Sequence, residues 1–295
     1  MSTCCISTSQ IAVDLTTAGG TLASVRDLAS GTEYLWGGDP EYWAGQAPIC
    51  FPICGGLREG RATTADGREV SMARHGIVRK REWQLESCDE SHATMLIASD
   101  DETRAQFPFD FELRARYAVA GRTLSVSYDV ANSGDEELPF FVGGHPAFRC
   151  PFAEGDAFED CYLEFERPES CTVATSLPDS GLADVNERHE LFDGTRELAL
   201  RHDLFHVDAQ LCDQLESRRV RLLSHRSAGG LEVSFADFPY LVIWSASNDA
   251  PFVALEPWTG LSTCLDEGDV LEEKRNVQRL APGASRSYEF QVTLL

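Results

Sequence analysis

Hydrophobic and polar residues alternate with a period of two wherever the chain carries a regular pattern. Phe109, Phe111, Leu113, Ala115, Tyr117 and Val119 are interleaved with Asp110, Glu112, Arg114, Arg116 and Ala118. Beyond a turn at Gly121, Leu124, Val126, Tyr128 and Val130 continue the alternation. Side chains that share a face every second residue are strand geometry, so this stretch predicts an antiparallel hairpin with one wet face. Leu231, Val233 and Phe235 follow the same rule, as do Tyr288, Phe290, Val292 and Leu294. Turn-forming residues fall between such runs, at Ala18-Gly19-Gly20, Asn132-Ser133-Gly134-Asp135, Ala228-Gly229-Gly230 and Pro282-Gly283. No segment has the period of a long amphipathic helix, although Asp266 to Leu280 has room for a turn or two. Many short strands, with no helices to cover a parallel sheet, predict an all-β fold, a large antiparallel β-sandwich. No repeat, low-complexity tract or linker divides the chain, so residues 1–295 are expected to form a single domain.

Composition narrows the class of partner. With 48 Asp and Glu against 25 Lys and Arg, the chain carries a formal charge of −23, which opposes nucleic acid and anionic membrane surfaces. The acidity is spread along the chain and suits a solvated surface. Ten cysteines would suggest disulfides in a short secreted chain, but Cys50, Cys54, Cys161 and Cys264 sit in apolar context and are expected to be buried free thiols. The first residues, MSTCCISTSQ, have neither a basic nor an apolar leader region, and no window reaches the roughly 18 apolar residues of a membrane span. A cytoplasmic protein, monomeric or weakly dimeric, is the expectation.

Three segments concentrate chemistry. In Pro139 to Phe148, an apolar strand ends in Gly143-Gly144-His145-Pro146, where the glycines admit close approach and the proline stiffens the exit. His145 is either a core histidine bonded to backbone or a proton-transfer group that titrates near neutrality. In Phe252 to Gly260, Glu256 follows four apolar residues and precedes Pro257-Trp258. A carboxylate in that setting needs a salt-bridge partner or a job, since burying it unpaired is expensive. Partial burial would raise its proton affinity toward that of a useful base, and Trp258 offers an apolar face to a sugar ring. The third segment, Arg74-His75-Gly76-Ile77-Val78-Arg79-Lys80-Arg81, is the most basic in the chain. It reads as a solvated edge or as a site for sugar hydroxyls or a phosphate. His202 and His206 have metal-like spacing but no convincing helix, and Cys50 and Cys54 lack a second pair, so no metal is expected. Phosphate loops, nucleophile elbows and dinucleotide fingerprints are absent from the sequence.

Together and in this order, these segments resemble the aldose 1-epimerase (mutarotase) superfamily, especially its LacX-like branch. The resemblance runs through Tyr34-Leu35-Trp36, Phe51-Pro52-Ile53, His75 to Arg79, Gly144 to Phe148, Leu204 to Ala209, Phe238-Pro239-Tyr240 with Ile243-Trp244, and Glu256 to Gly260. It implies the galactose mutarotase-like β-supersandwich and interconversion of the α and β anomers of a hexose without a cofactor. By resemblance, Glu256 is the general base on the anomeric hydroxyl and His145 the acid at the ring oxygen. His75 is similar to a second active-site histidine, and Asp208 to an acidic residue that binds sugar hydroxyls. Arg79 and Trp258 complete the expected substrate contacts. One departure stands out: where the family has Gly-Arg-Leu, this chain reads Gly55-Gly56-Leu57, and either Arg58 or Arg61 is expected to reach the space of the missing arginine or the pocket is expected to take a different sugar.

Three functions fit these residues: a mutarotase of a free hexose or a hexose 6-phosphate, a non-catalytic carbohydrate-binding or regulatory protein, and a glycosidase or lyase. The last is disfavoured because glycosidases usually need two carboxylates. For the first, the simplest protonation states give a bell-shaped pH profile with Glu256 on the acidic limb and His145 on the alkaline limb.

Overall fold

The computed structural model describes residues 2–295, and almost all of its regular structure is antiparallel strand. The predicted hairpin is present as Phe111–Ala120 and Thr123–Asn132, paired from Thr123 opposite Ala120 to Asn132 opposite Phe111. Its inward residues are buried and its outward ones half-exposed, as the alternation requires. The C-terminal run forms Ser285–Leu294, which pairs with Thr123–Asn132 on one side and Leu231–Ser234 on the other. These strands belong to a nine-stranded sheet bounded by Gln84–Cys88 and Thr195–Ala199. The expected helical turn in Asp266 to Leu280 is the short 3-10 turn Leu271–Glu273.

A second, eight-stranded sheet runs in the order Leu182–Glu190, Thr172–Leu177, Gln210–Cys212, Tyr240–Trp244, Phe252–Trp258, Gly143–Gly144 and Ile49–Cys50, with Ala147–Arg149 also pairing with Phe252–Trp258. The two sheets pack closely. A Cβ added to Gly144 would lie 2.8 Å from the Phe290 ring of the nine-stranded sheet, so only glycine fits at that contact. One large cluster of buried side chains draws on both sheets and on the N-terminal strands Ile11–Thr16 and Thr21–Asp27. All ten cysteines are free thiols, and Cys50, Cys54, Cys161 and Cys264 are buried as the sequence predicts. Among the described residues, no helix is long and apolar enough to cross a membrane.

Candidate active site

Strand Phe252–Trp258 is buried along its whole length. Neighbours flank it on both sides, and its period of two puts Ala254, Glu256 and Trp258 on one face. On one flank Val242 stands opposite Glu256 and Leu211 opposite Val242. On the other flank Gly143 faces Trp258 and Ala147 faces Ala254, while His145-Pro146 interrupts the ladder. The register is the same on either side of the interruption, which sets His145 opposite Glu256. Directly opposed residues in a sheet bring their side chains together, and here His145 Nε2 lies 3.3 Å from Glu256 Oε2. The break also frees the His145 backbone N–H to donate to the Pro48 carbonyl, while Pro146 accepts from the Leu255 N–H.

Both members of the pair are almost wholly buried, His145 at 6% exposure and Glu256 at 1%. Burial disfavours either charge alone. It pushes the Glu256 carboxyl well above the usual carboxylate range, with the Cys50 thiol and Asp208 adding to the rise and Arg74 opposing it. It lowers His145 to about 3, helped by the positive charges of Arg79 and Arg74. Both shifts favour the uncharged form of each group, a protonated carboxyl beside a neutral imidazole. Glu256 Oε2, His145 Nδ1 and Trp258 Nε1 are buried polar atoms without a hydrogen-bond partner among the described residues, which is unusual in a folded interior and typical of a site that receives a ligand.

His75 closes the pocket from the side. Its backbone has φ 67°, in the left-handed region that non-glycine residues rarely occupy, and its ring is edge-on to both His145 and Trp258 at 5.2 and 5.4 Å. The Gly55 N–H donates to His75 Nδ1 at 3.2 Å. A backbone N–H can only donate, so Nδ1 is the unprotonated nitrogen and Nε2 carries the hydrogen. Burial, the neighbouring His145 and the two arginines keep this ring neutral, far below its ordinary proton affinity.

The lining residues enclose a cavity of ≈ 180 Å³. That is small beside the roughly 300–1,000 Å³ of sites for drug-sized molecules and suits a single sugar ring. Of the residues singled out in the sequence, Glu256, His145, His75, Asp208, Arg79 and Trp258 all line it. Asp208, held at φ 111°, accepts a hydrogen bond from the Ser176 hydroxyl at 2.7 Å.

Arg58 is a correction. It opens the 3-10 turn Arg58–Gly60, and its guanidinium turns outward to Asp269 at 3.1 Å and to the Cys264 and Glu267 carbonyls, away from the pocket. Arg61 is exposed and lies near Glu69, and Lys80 lines a separate hollow with Arg81 and Glu82. Arg74 is the arginine of this region that joins Arg79 at the site. The sequence reasoning also missed Trp43, whose ring stacks on His145 with centroids 5.0 Å apart, and Trp244, which meets both edge-on. The aromatic residues of Tyr42-Trp43 were the available signal, but nothing local ties them to a histidine a hundred residues away.

The chain belongs to the aldose 1-epimerase family, whose model matches residues 3–292. It is 43% identical over 290 residues to the chromosomal LacX protein of Lactococcus lactis subsp. lactis, covering 97% of each chain, and 42% identical to the plasmid LacX protein over the same share. Among solved structures it resembles the galactose mutarotase related enzyme of Lactobacillus acidophilus, with a TM-score of 0.93 and 30% identity over 100% of this chain and 97% of that one. A galactose mutarotase-like protein from Lactobacillus casei matches over the full length of both chains, at a TM-score of 0.92 and 27% identity.

Proposed function

We propose that this protein is an aldose 1-epimerase that interconverts the α and β anomers of a free hexose by general acid-base ring opening and closure, with Glu256 and His145 as its catalytic residues. The observation that carries the proposal is the cross-strand pairing of Glu256 with His145 at 3.3 Å on the wall of a one-ring cavity. Family membership supports a sugar epimerase role.

Opening a hemiacetal removes the proton of the anomeric hydroxyl and delivers one to the ring oxygen; the aldehyde then rotates and closes on its other face. With Glu256 in its favoured protonated form, the pair holds the one proton required. Its transfer from the Glu256 carboxyl toward His145 yields a carboxylate, which takes the anomeric proton, and an imidazolium, which protonates the ring oxygen. Closure reverses the two transfers, so the pair ends as it began. Each transfer contributes typically about 10²–10⁴-fold. The neutral His75 offers its Nε2–H as a fixed donor to a sugar oxygen, while Trp43, Trp244 and Trp258 supply apolar faces and keep water from the pair.

Polarimetry on freshly dissolved α-galactose and α-glucose, corrected for spontaneous mutarotation, tests this reading. Equilibration should be accelerated in proportion to protein concentration. A protein that binds sugars without changing the rate would be a carbohydrate-binding protein instead, and one that shortens a glycan would be a hydrolase or lyase.

A second substrate is favoured by one observation. The Arg79 guanidinium lines the pocket with no side-chain partner among the described residues, which suits an anionic substituent such as the phosphate of a hexose 6-phosphate. Against it stands Asp208 in the same cavity. Faster equilibration of hexose 6-phosphates than of free hexoses, erased by Arg79→Gln, would reverse the order of the two.

A further inference from the structure

Arg74 lies where a side chain can reach the sugar, and its position depends on two glycines. The turn joining strands Thr172–Leu177 and Leu182–Glu190 closes at Gly181, which has φ 70° and donates its N–H to the Leu177 carbonyl. A Cβ on Gly181 would stand 2.8 Å from Arg74 Nη2, so the guanidinium lies directly across the bare backbone of the turn. A Cβ on Gly56 would in turn stand 2.8 Å from the Gly181 carbonyl oxygen. The glycine that replaces the expected arginine at position 56 is what lets the turn settle close enough to seat Arg74 at the pocket.

The guanidinium is only loosely paired. Arg74 Nη1 is 4.0 Å from Asp208 Oδ2, wider than the roughly 2.7–2.9 Å of a charge-assisted hydrogen bond, and the side chain remains 44% exposed. Asp208 Oδ2 accepts from the Ser176 hydroxyl, Oδ1 has no hydrogen-bond partner among the described residues, and the residue lines the same cavity as Arg74. A donor fork and a carboxylate acceptor, spaced too widely to satisfy each other, match two adjacent hydroxyl groups, one accepting from Arg74 and one donating to Asp208. The carboxylate beside the guanidinium repels a phosphate at this position and leaves a neutral diol unopposed.

We propose that Arg74 is a substrate-binding residue which, with Asp208, grips a vicinal diol of the sugar, so that the protein selects aldoses in which two particular neighbouring hydroxyls are both free. This rests on the mutarotase reading for its kinetic consequence but not for its binding consequence. The test compares the preferred hexose with its single-position deoxy analogues, using wild type, Arg74→Gln and Gly181→Ala. Wild type should lose about 10–100-fold in kcat/KM on the analogues that lack either hydroxyl of one adjacent pair, and little on the others. Arg74→Gln and Gly181→Ala should lose about as much on the parent sugar, with at most about 3-fold further loss on the analogue that lacks the Arg74-bound hydroxyl. Equal losses on the parent and on every analogue, or no loss from Arg74→Gln in a folded protein, overturn the clamp. If wild type accelerates no mutarotation, the functional reading fails and the same comparison is made by sugar-induced thermal shift. There, stabilisation by the parent sugar that is lost both with Arg74→Gln and with the two deoxy analogues upholds the clamp, and stabilisation independent of residue 74 overturns it.

Discussion

Glu256 and His145 are each worse off as isolated ions inside this site than in water, and that has separable consequences for stability and activity. Because folding raises the Glu256 pKa above its ordinary 4.5, the folded chain keeps a proton that the unfolded chain has already released at higher pH. The stabilising effect of the raised pKa is complete below about pH 4.5 and is lost as pH rises through the folded value. Glu256→Gln removes that titration while keeping the shape. It should lower the mutarotation rate about 10²–10⁴-fold and raise the melting temperature at pH 8 more than at pH 5. Melting curves at the two pH values decide it, and a variant less stable than wild type at pH 8 would contradict the assigned direction. For His145 the sign is opposite: lowered to about 3, it favours the fold above its ordinary 6.5, and this is lost as pH falls toward about 3. Burial therefore reverses the simple order of titration in the free protein, with imidazole protonation on the acidic limb of kcat/KM and loss of the carboxyl proton on the alkaline limb; both apparent values belong to the pair. A second expectation follows from the shared proton. His145→Asn should cost about as much as Glu256→Gln, and the double variant should cost far less than the product of the two, because one broken transfer already disables the unit. Multiplicative losses in the polarimetric rates would mean that the two residues act independently. Both residues were legible in the sequence because an ionisable group beside proline at the end of an apolar strand has few structural excuses. Their 3.3 Å contact was not, since it depends on register.

That register belongs to the strands. The Phe252–Trp258 strand holds the same alignment with Gly143–Gly144 and with Ala147–Arg149, so the unpaired His145-Pro146 step projects one histidine without shifting its neighbours. Alternation predicted the hairpins of the nine-stranded sheet well because one face of each strand is wet. It was silent on Phe252–Trp258, where both faces are buried and no polar residue marks the period except Glu256 itself. Arg58 does not reach the pocket because its guanidinium is held by Asp269 and by the Cys264 and Glu267 carbonyls, acceptors that lie about two hundred residues away in sequence and leave no local signal. Trp43 shows the opposite failure. It lies in an irregular segment, and its indole is positioned by packing against Gly45 and by its carbonyl, which accepts from Trp36 Nε1–H at 2.8 Å. By stacking on His145 it removes water from one face of the imidazole. Trp43→Ala should therefore let His145 regain proton affinity from about 3 toward its ordinary value, moving the acidic limb of kcat/KM to higher pH, and should lower the plateau about 10-fold. A pH profile superimposable on that of wild type would show that Trp43 neither shields nor positions the histidine.

The whole molecule raises the question of how many parts unfold independently. A chain of 295 residues is long enough for two domains by size alone, and chains of that length often lose two-state behaviour. The core argues for one unit. Buried side chains of both large sheets and of the N-terminal strands join in one cluster, whereas the second, smaller cluster around Trp36, Ala147 and Phe252 lies beside the pocket and shares strand Phe252–Trp258 with the first. Site residues come from Trp43 through Ser262, so neither the pocket nor the core can be cut along the sequence without opening the other. Calorimetry should accordingly show a single transition whose van't Hoff and calorimetric enthalpies agree, and a saturating sugar ligand should shift that transition as a whole. The charge of −23 adds a condition, because self-repulsion opposes the compact state and is screened by salt. Raising the ionic strength from about 0.01 to 0.15 M shortens the screening length from roughly 30 to 8 Å, so the melting temperature should rise over that range without the transition splitting. Two resolved transitions, only one of them moved by sugar, would show that the sandwich is built from separable halves and that the pocket is stabilised by just one of them.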